Sequence, residues 1–238
     1  MKFVKELLTT RIGTDNDAVR SKWVIDNLQA LPKGIKLLDA GAGELRFKKY
    51  CTHLNYIAQD FGNYDGAGDG KGLQMGKWDN SKLDIVSDIT DIPLPDESID
   101  AILCTEVFEH IPDAISALKE FNRLLKPGGV MLITAPFCSL THFAPYHFCG
   151  YNKYWYQHHL NSMGYNNILI ESNGTWYSFV AQELRRSYVV SNMYSSKLMG
   201  RLIQFFSIPL LIFLSLASKK DSGSEDLLCF GYMVKAIK

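Results

Sequence analysis

The chain has 238 residues, and its 25 Lys plus Arg balance 25 Asp plus Glu to a formal net charge of zero; that length suits one large α/β domain with a sizeable core and is short for two independent enzyme domains. No polybasic tail or stripe advertises a nucleic-acid backbone, so no nucleic acid is expected as a partner. Cys51, Cys104, Cys138, Cys149 and Cys229 are widely spaced and form no C-x-x-C pair, which excludes zinc ribbons and disulfide scaffolds and, with a Met1–Glu6 start that has no signal-peptide run, points to reduced thiols in the cytoplasm.

In chain order, Ile35–Ala40 reads as a short apolar strand that runs into the turn Gly41-Ala42-Gly43, and Glu44–Cys51 reads as the start of a helix. A second strand, Asn55–Gln59, ends at Asp60, and a third, Leu83–Ser87, ends at Asp88. Between them Asn63–Trp78 is a glycine-rich loop. Ile99–Cys104 and Val130–Thr134 are the fourth and fifth strands; the helix joining them, Asp113–Leu125, repeats its apolar residues with helical spacing and is stopped by Lys126-Pro127-Gly128-Gly129. Lys153–Met163 predicts a helix, Asn167–Glu171 a sixth strand and Leu228–Val234 the last. Strands alternating with helices predict parallel pairing in a doubly wound, mostly parallel seven-stranded sheet. A structureless span between the last two strands would be too long for a compact domain, so 173–225 is expected to be a helical insertion or cap within a single 1–238 domain.

In open α/β sheets a ligand sits at the carboxyl ends of the strands, and a glycine turn after the first strand lets the backbone approach a nucleotide. Asp39, Gly41 and Gly43 occupy that turn, and Asp60 stands where a carboxylate grips ribose hydroxyls. The dinucleotide pattern G-x-G-x-x-G fails because Arg46 holds the third glycine position. A P-loop fails too, since Gly70-Lys71 is followed by Gly72 rather than Ser or Thr.

The later segments decide among nucleotides. Leu37–Glu44 (LLDAGAGE), Asp60, Ser87–Asp100 (SDITDIPLPDESID), Cys104–Ile111 (CTEVFEHI) and Leu124–Gly129 (LLKPGG) resemble, in order and spacing, the motifs of class I S-adenosylmethionine-dependent methyltransferases with a type 11-like domain. The resemblance covers roughly residues 20–170 and the closing strand. It departs at Leu45, where the family often has a third alternating glycine. It implies a Rossmann-like methyltransferase fold and S-adenosylmethionine as cofactor. By resemblance, Gly41 and Gly43 make room for the carboxypropyl arm and Asp39 orients the turn or meets the ammonium group. Asp60 takes both ribose hydroxyls, Phe61 lies against adenine, and Asp88 with the Ile89 amide reads its edge. Glu106 faces the cofactor or holds its methionine end.

The acceptor side is expected just after the fifth strand, where Thr141–Phe148 (THFAPYHF) places His142, Tyr146 and His147 as candidate catalytic groups. Imidazole is suited to taking a hydroxyl proton near neutral pH. The stretch resembles one in a subgroup associated with bacterial surface polysaccharides and lipid-linked sugars, so a small-molecule, sugar or lipid-linked sugar acceptor is expected. No metal site is assigned: the spacing of His142, His147, His158, His159 and Cys149 matches no standard zinc pattern.

Leu202–Ala217 carries no charge and is bounded by Arg201 and by Lys219-Lys220. It is shorter than the roughly 20 residues that span a bilayer. A core or homodimer-forming helix pair and a peripheral helix in the membrane's inner interface both fit it. A nucleic-acid methyltransferase and a non-catalytic cofactor- or partner-binding member of the fold are the alternatives to a small-molecule enzyme.

Overall fold

The structure, a computed structural model, describes residues 11–238; the Met1–Glu6 start lies outside them. The chain falls into two compact units, one of Arg20–Glu171 with Gly231–Lys238, the other of Ser172–Phe230 with the described part of Met1–Val19.

The first unit is built on the sheet. Helix α1 (Asn16–Gln29) leads to β1 (Lys36–Ala40), β2 (Asn55–Asp60), β3 (Ile85–Val86) and β4 (Ile99–Thr105); then come α2 (Ala114–Leu124), β5 (Leu125–Pro136), α3 (Lys153–Ser162), β6 (Asn166–Asn173) and finally β7 (Gly231–Ile237). The strands lie in the order β3-β2-β1-β4-β5-β7-β6. The ladders from β3 through β5 are parallel and β7 runs antiparallel to β5. This is the α/β, mostly parallel seven-stranded sheet that the strand and helix alternation predicts. Leu37, Leu38, Ile102, Leu103, Leu132 and Ile133 are wholly buried at its centre, as strands covered on both faces require.

Helix α2 shows how local sequence sets these elements. Asp113 caps it by accepting from the Ser116 amide at 3.0 Å, and Ala114, Ala117, Leu118, Phe121 and Leu124 put their i, i+3, i+4, i+7 face into the core. The predicted stop at Lys126–Gly129 is instead the irregular start of β5: the register shifts opposite Ile99/Ala101, and Lys126 Nζ donates to Asp100 Oδ1 at 2.6 Å. Three other boundaries differ from the sequence reading. No continuous helix forms over Glu44–Cys51, because Gly43 (φ 50°) and Leu45 (φ 59°) adopt left-handed backbone that breaks a right-handed helix, leaving a short 3₁₀ turn at Lys48–Tyr50. The third strand shrinks to Ile85–Val86, since the Asp84 carboxylate takes the Ala58 amide at 2.8 Å. The last strand starts three residues late, at Gly231, where a Cβ would stand 2.3 Å from the Ala135 carbonyl oxygen.

In the second unit, α4 (Trp176–Tyr194) and α5 (Lys197–Ser218) form a helical pair, and the insertion expected at 173–225 lies within it. Thr175 and Ser178 form a capping box on α4, and Ser196 caps α5. Ala181, Leu211 and Leu214 make a small core. Gly200 permits close approach, since a Cβ there would come 3.1 Å from the Tyr188 carbonyl oxygen. Beyond the buried stripe Gly200, Ser207, Leu211 and Leu214, α5 leaves Leu202, Phe205, Phe206, Leu210 and Phe213 exposed.

Candidate active site

A cavity of about 870 Å³ opens at the carboxyl ends of β1, β2 and β4, within the first unit. Its walls are apolar with a few polar groups, the usual make-up of a small-molecule site. The sheet brings Gly41, Gly43, Asp60, Phe61, Asp88, Ile89 and Glu106 together on one side, and His142 and Tyr146 on the other. Asp39 and His147 do not reach its surface.

The glycine turn is shaped by close contact. A Cβ at Gly41 (φ 77°) would stand 2.4 Å from the Val107 side chain, and one at Gly43 2.7 Å from the Trp78 ring; only glycine fits both the backbone and the space. Asp60 secures the turn, for its Oδ2 accepts from the Gly43 amide and its Oδ1 from the Gly62 amide, each at 3.0 Å. A carboxylate has about four lone-pair positions, so Asp60 retains acceptor capacity toward a diol. Asp39 lies behind the turn, 2 % exposed and hydrogen-bonded to the Tyr56 hydroxyl. Burial pushes its carboxyl up to about 7 against the pull of that hydroxyl, and the charge of Asp60 adds to the rise.

Asp88 makes an Asx turn, its Oδ1 accepting from the Thr90 amide and hydroxyl at 2.8 Å each. Phe61 is edge-on to Tyr146, with ring centroids 5.1 Å apart. Glu106 (φ 54°) accepts from the Thr134 hydroxyl at 3.0 Å through Oε1 and pairs with Arg20 at 2.8 Å through Oε2. Its carboxylate is therefore held in place rather than left to swing in the cavity.

The far wall is a cluster of rings. Phe143 stacks on Tyr64 at 4.5 Å and on His110 at 4.9 Å and meets Trp78 edge-on. This ties the glycine-rich loop to the segment after β5. His110 Nδ1 binds the Tyr146 carbonyl and His142 Nδ1 binds the Leu140 carbonyl at 2.9 Å. His147 Nδ1 accepts from the His142 amide at 3.4 Å. Beneath them sits Glu109, fully buried, with neither carboxylate oxygen hydrogen-bonded. Its Oε1 lies 3.6 Å from His110 Nε2 and 3.7 Å from His142 Nε2, beyond hydrogen-bond length.

The electrostatics follow from this burial. Burial pushes Glu109 above the usual carboxylate range, with His142 opposing and Glu106 adding to the rise. Burial alone would lower His142, but the neighbouring Glu109 outweighs it and holds the imidazole above its ordinary value. Burial takes His110 down to about 3 and, with His142 nearby, also lowers His147. A polar group buried without a partner costs roughly 1–3 kcal/mol, and both Glu109 oxygens and His110 Nε2 are such groups on this wall.

Sequence reasoning missed Arg20, Trp78, Glu109 and His110 as parts of this site. Glu109 and His110 sit inside the CTEVFEHI segment and were visible; only the fold shows that they face His142. Arg20 precedes the glycine turn by some twenty residues, and no spacing marks it.

This strand order, with a glycine turn and an acidic second-strand end at one cavity, resembles the arrangement of S-adenosylmethionine-dependent methyltransferase domains. Residues 38–133 match the family described as "Methyltransferase domain". A probable S-adenosylmethionine-dependent methyltransferase of Mycolicibacterium smegmatis is 40 % identical over 48 residues, which cover 20 % of this chain and 19 % of that protein. A malonyl-[acyl-carrier protein] O-methyltransferase of Yersinia pestis is 33 % identical over 109 residues, covering 42 % of this chain and 36 % of its own length. The chain thus spans about a fifth and about a third of these two relatives. Among solved structures, an S-adenosylmethionine-dependent methyltransferase of Archaeoglobus fulgidus superposes with a TM-score of 0.55 at 18 % identity, over 100 % of this chain and 99 % of that one, and shares the fold. The residues present fit that cofactor: the turn admits no Cβ at Gly41 or Gly43, and Asp60 and Asp88 line a cavity roomy enough for a nucleoside and an acceptor.

Proposed function

We propose that the protein transfers a methyl group from S-adenosylmethionine to an oxygen of a small-molecule, sugar or lipid-linked sugar acceptor. The observation that carries this reading is one cavity with the glycine turn and Asp60 on one wall and His142 above a buried Glu109 on the other. When bound, the cofactor supplies an electrophilic methyl group and its own leaving group. The protein's part is alignment, exclusion of water and handling of one proton. Gly41 and Gly43 leave space for the amino-acid arm, Asp60 holds the ribose hydroxyls, and Asp88 with the Ile89 amide reads the base. Glu106, fixed by Arg20 and Thr134, holds the methionine end. His142, steadied by the Leu140 carbonyl, takes the proton that the acceptor hydroxyl gives up, and the neighbouring Glu109 favours the imidazolium so formed. Tyr146 and Phe61 wall the space between, and His147 supports His142 from behind. The name of the Yersinia pestis relative, an O-methyltransferase, favours oxygen as acceptor.

Helix α5 favours a membrane-bound source for the acceptor. Its 22 residues are about 33 Å long, longer than the uncharged run alone suggests. Phe205, Phe206 and Phe213 are each about two-thirds exposed, an outward apolar face that a lone soluble monomer has no need of. The reading places α5 in the inner membrane interface with Lys219 and Lys220 at the headgroups. A second copy covering the same face would instead give a concentration-dependent dimer.

Calorimetry with S-adenosylmethionine and its demethylated product tests cofactor use. Labelled cofactor offered with sugar nucleotides, lipid-linked sugars and small hydroxy acids tests the acceptor class. Absence of cofactor binding by the folded chain would overturn the reading.

A further inference from the structure

We propose that His110, His142 and Glu109, completed by His147, bind a divalent first-row transition cation of the zinc class on the acceptor wall of the cavity. Three independent features converge on one point. The ligand atoms of the three imidazoles lie within 4.8 Å of one another. Two of the rings, His110 and His142, spend Nδ1 on a backbone carbonyl, which places the proton there and leaves the Nε2 lone pair free, the outer-shell arrangement that orients metal-bound histidines. Both Nε2 atoms then lie 3.6 and 3.7 Å from the same oxygen, Glu109 Oε1. Ligands about 2.0–2.2 Å from a tetrahedral ion are roughly 3.3–3.6 Å apart, so a small contraction seats an ion among them.

The orphaned atoms point the same way. Glu109 is completely buried and neither oxygen has a donor, and His110 Nε2 is buried without a partner as well. One cation would satisfy Glu109 Oε1 and His110 Nε2 together. His147 gives up only a 3.4 Å bond to join them. Imidazole-rich sites suit zinc, cobalt or nickel, whereas magnesium prefers oxygen ligands. The spacing rules applied to His142, His147, His158, His159 and Cys149 do not reach His110 and Glu109, which come from a different segment, beyond β4.

His110 and His142 line the cavity, so a fifth coordination position, beyond the four protein ligands, would face the acceptor and make its hydroxyl easier to deprotonate. His142 then acts on the acceptor through the cation rather than by taking the proton itself. Cation binding stands apart from the methyl-transfer reading; its use on the acceptor rests on that reading.

The test uses the whole chain, stripped with chelator and titrated with Co²⁺ followed by visible absorption, then with Zn²⁺ in competition and with Mg²⁺ as the control. The expected result is one equivalent of Co²⁺ per chain, displaced by Zn²⁺ and not by Mg²⁺. Glu109→Gln, which keeps the side chain's shape, should weaken binding about 10- to 100-fold, and His142→Ala by at least as much. Cys138→Ser with Cys149→Ser should leave it unchanged, since both thiols are exposed and lie outside the cluster. Folded wild type that binds no stoichiometric Co²⁺ or Zn²⁺, or binding that survives both Glu109→Gln and His142→Ala, overturns the inference. S-adenosylmethionine titrated into the same stripped protein separates the two readings: cofactor binding without cation binding sinks only this inference, and the reverse sinks only the methyl-transfer reading.

Discussion

The two walls of the cavity solve opposite problems. On the cofactor wall, Asp60 accepts from two backbone amides and Glu106 is clamped by Arg20 and Thr134; its polar groups are occupied and rigid. On the histidine wall, Glu109 and His110 Nε2 are buried without partners, and the groups press on one another's proton affinities. A satisfied network positions a ligand, and an unsatisfied one waits for a ligand or a proton. On the proposed function, the first wall binds and the second reacts.

The largest expected effect sharpens the first half of that contrast by testing Asp39, the one carboxylate near the turn that is not satisfied as an anion. Its folded value near 7 stands above an ordinary 3.8, so its contribution to stability is complete below about pH 4 and is lost as pH rises through 7. About three units at 1.36 kcal/mol each amount to roughly 4 kcal/mol. Asp39→Asn, which can still accept from Tyr56, should flatten urea stability between pH 4 and 8 and raise it at pH 8. Equal pH slopes for variant and wild type would place Asp39 outside this account.

Asp60→Ala comes next. It removes charge-assisted bonds worth roughly 1.5–3 kcal/mol each, so calorimetry should show cofactor affinity lower by about a hundredfold or more. Unchanged affinity would mean that the cofactor wall has been misassigned. His142→Ala breaks the comparison from the other side: turnover on the identified acceptor should fall about a hundredfold, with cofactor affinity nearly intact. A loss of cofactor binding instead would show that the two walls are not separable.

The smallest effect concerns α5. Lys219→Glu with Lys220→Glu should weaken flotation with anionic liposomes, each Lys contributing about 1 kcal/mol, and high salt should do the same. Phe205→Asp with Phe213→Asp should abolish flotation without unfolding, because both side chains point outward. Protein that never floats while sedimentation shows a dimer would give the apolar face to a second copy.

The cofactor wall was legible because its chemistry is local. Gly41, Gly43 and Asp60 stand at strand ends, where backbone geometry dictates residue type and alternating strands dictate address. Asp39 shows the limit: it belongs to the same motif, but strand alternation turns it inward to Tyr56, and a motif does not reveal facing. The histidine wall was half legible. His142 and Tyr146 were found by their position after the fifth strand, while Glu109 and His110 join them only through tertiary packing, across the 31 residues of chain between His110 and His142. The helix expected at Glu44–Cys51 failed for a related reason, since Leu45 is held in left-handed backbone that its side chain does not announce.

Strand β7 closes the sheet from a distance. It lies between β5 and β6 yet follows the whole helical unit, so β5, complete at Pro136, waits for a neighbour that begins at Gly231, and β6 has no partner in the sheet until then. At a synthesis rate of about 5–20 residues per second, those 95 residues take roughly 5–19 s to emerge. By the end of that interval two strand edges are still unpaired while the apolar surface of α4 and α5 has already been made. Open edges of that kind are templates for pairing with other chains, so slowing translation after codon 218 should worsen aggregation of the nascent chain.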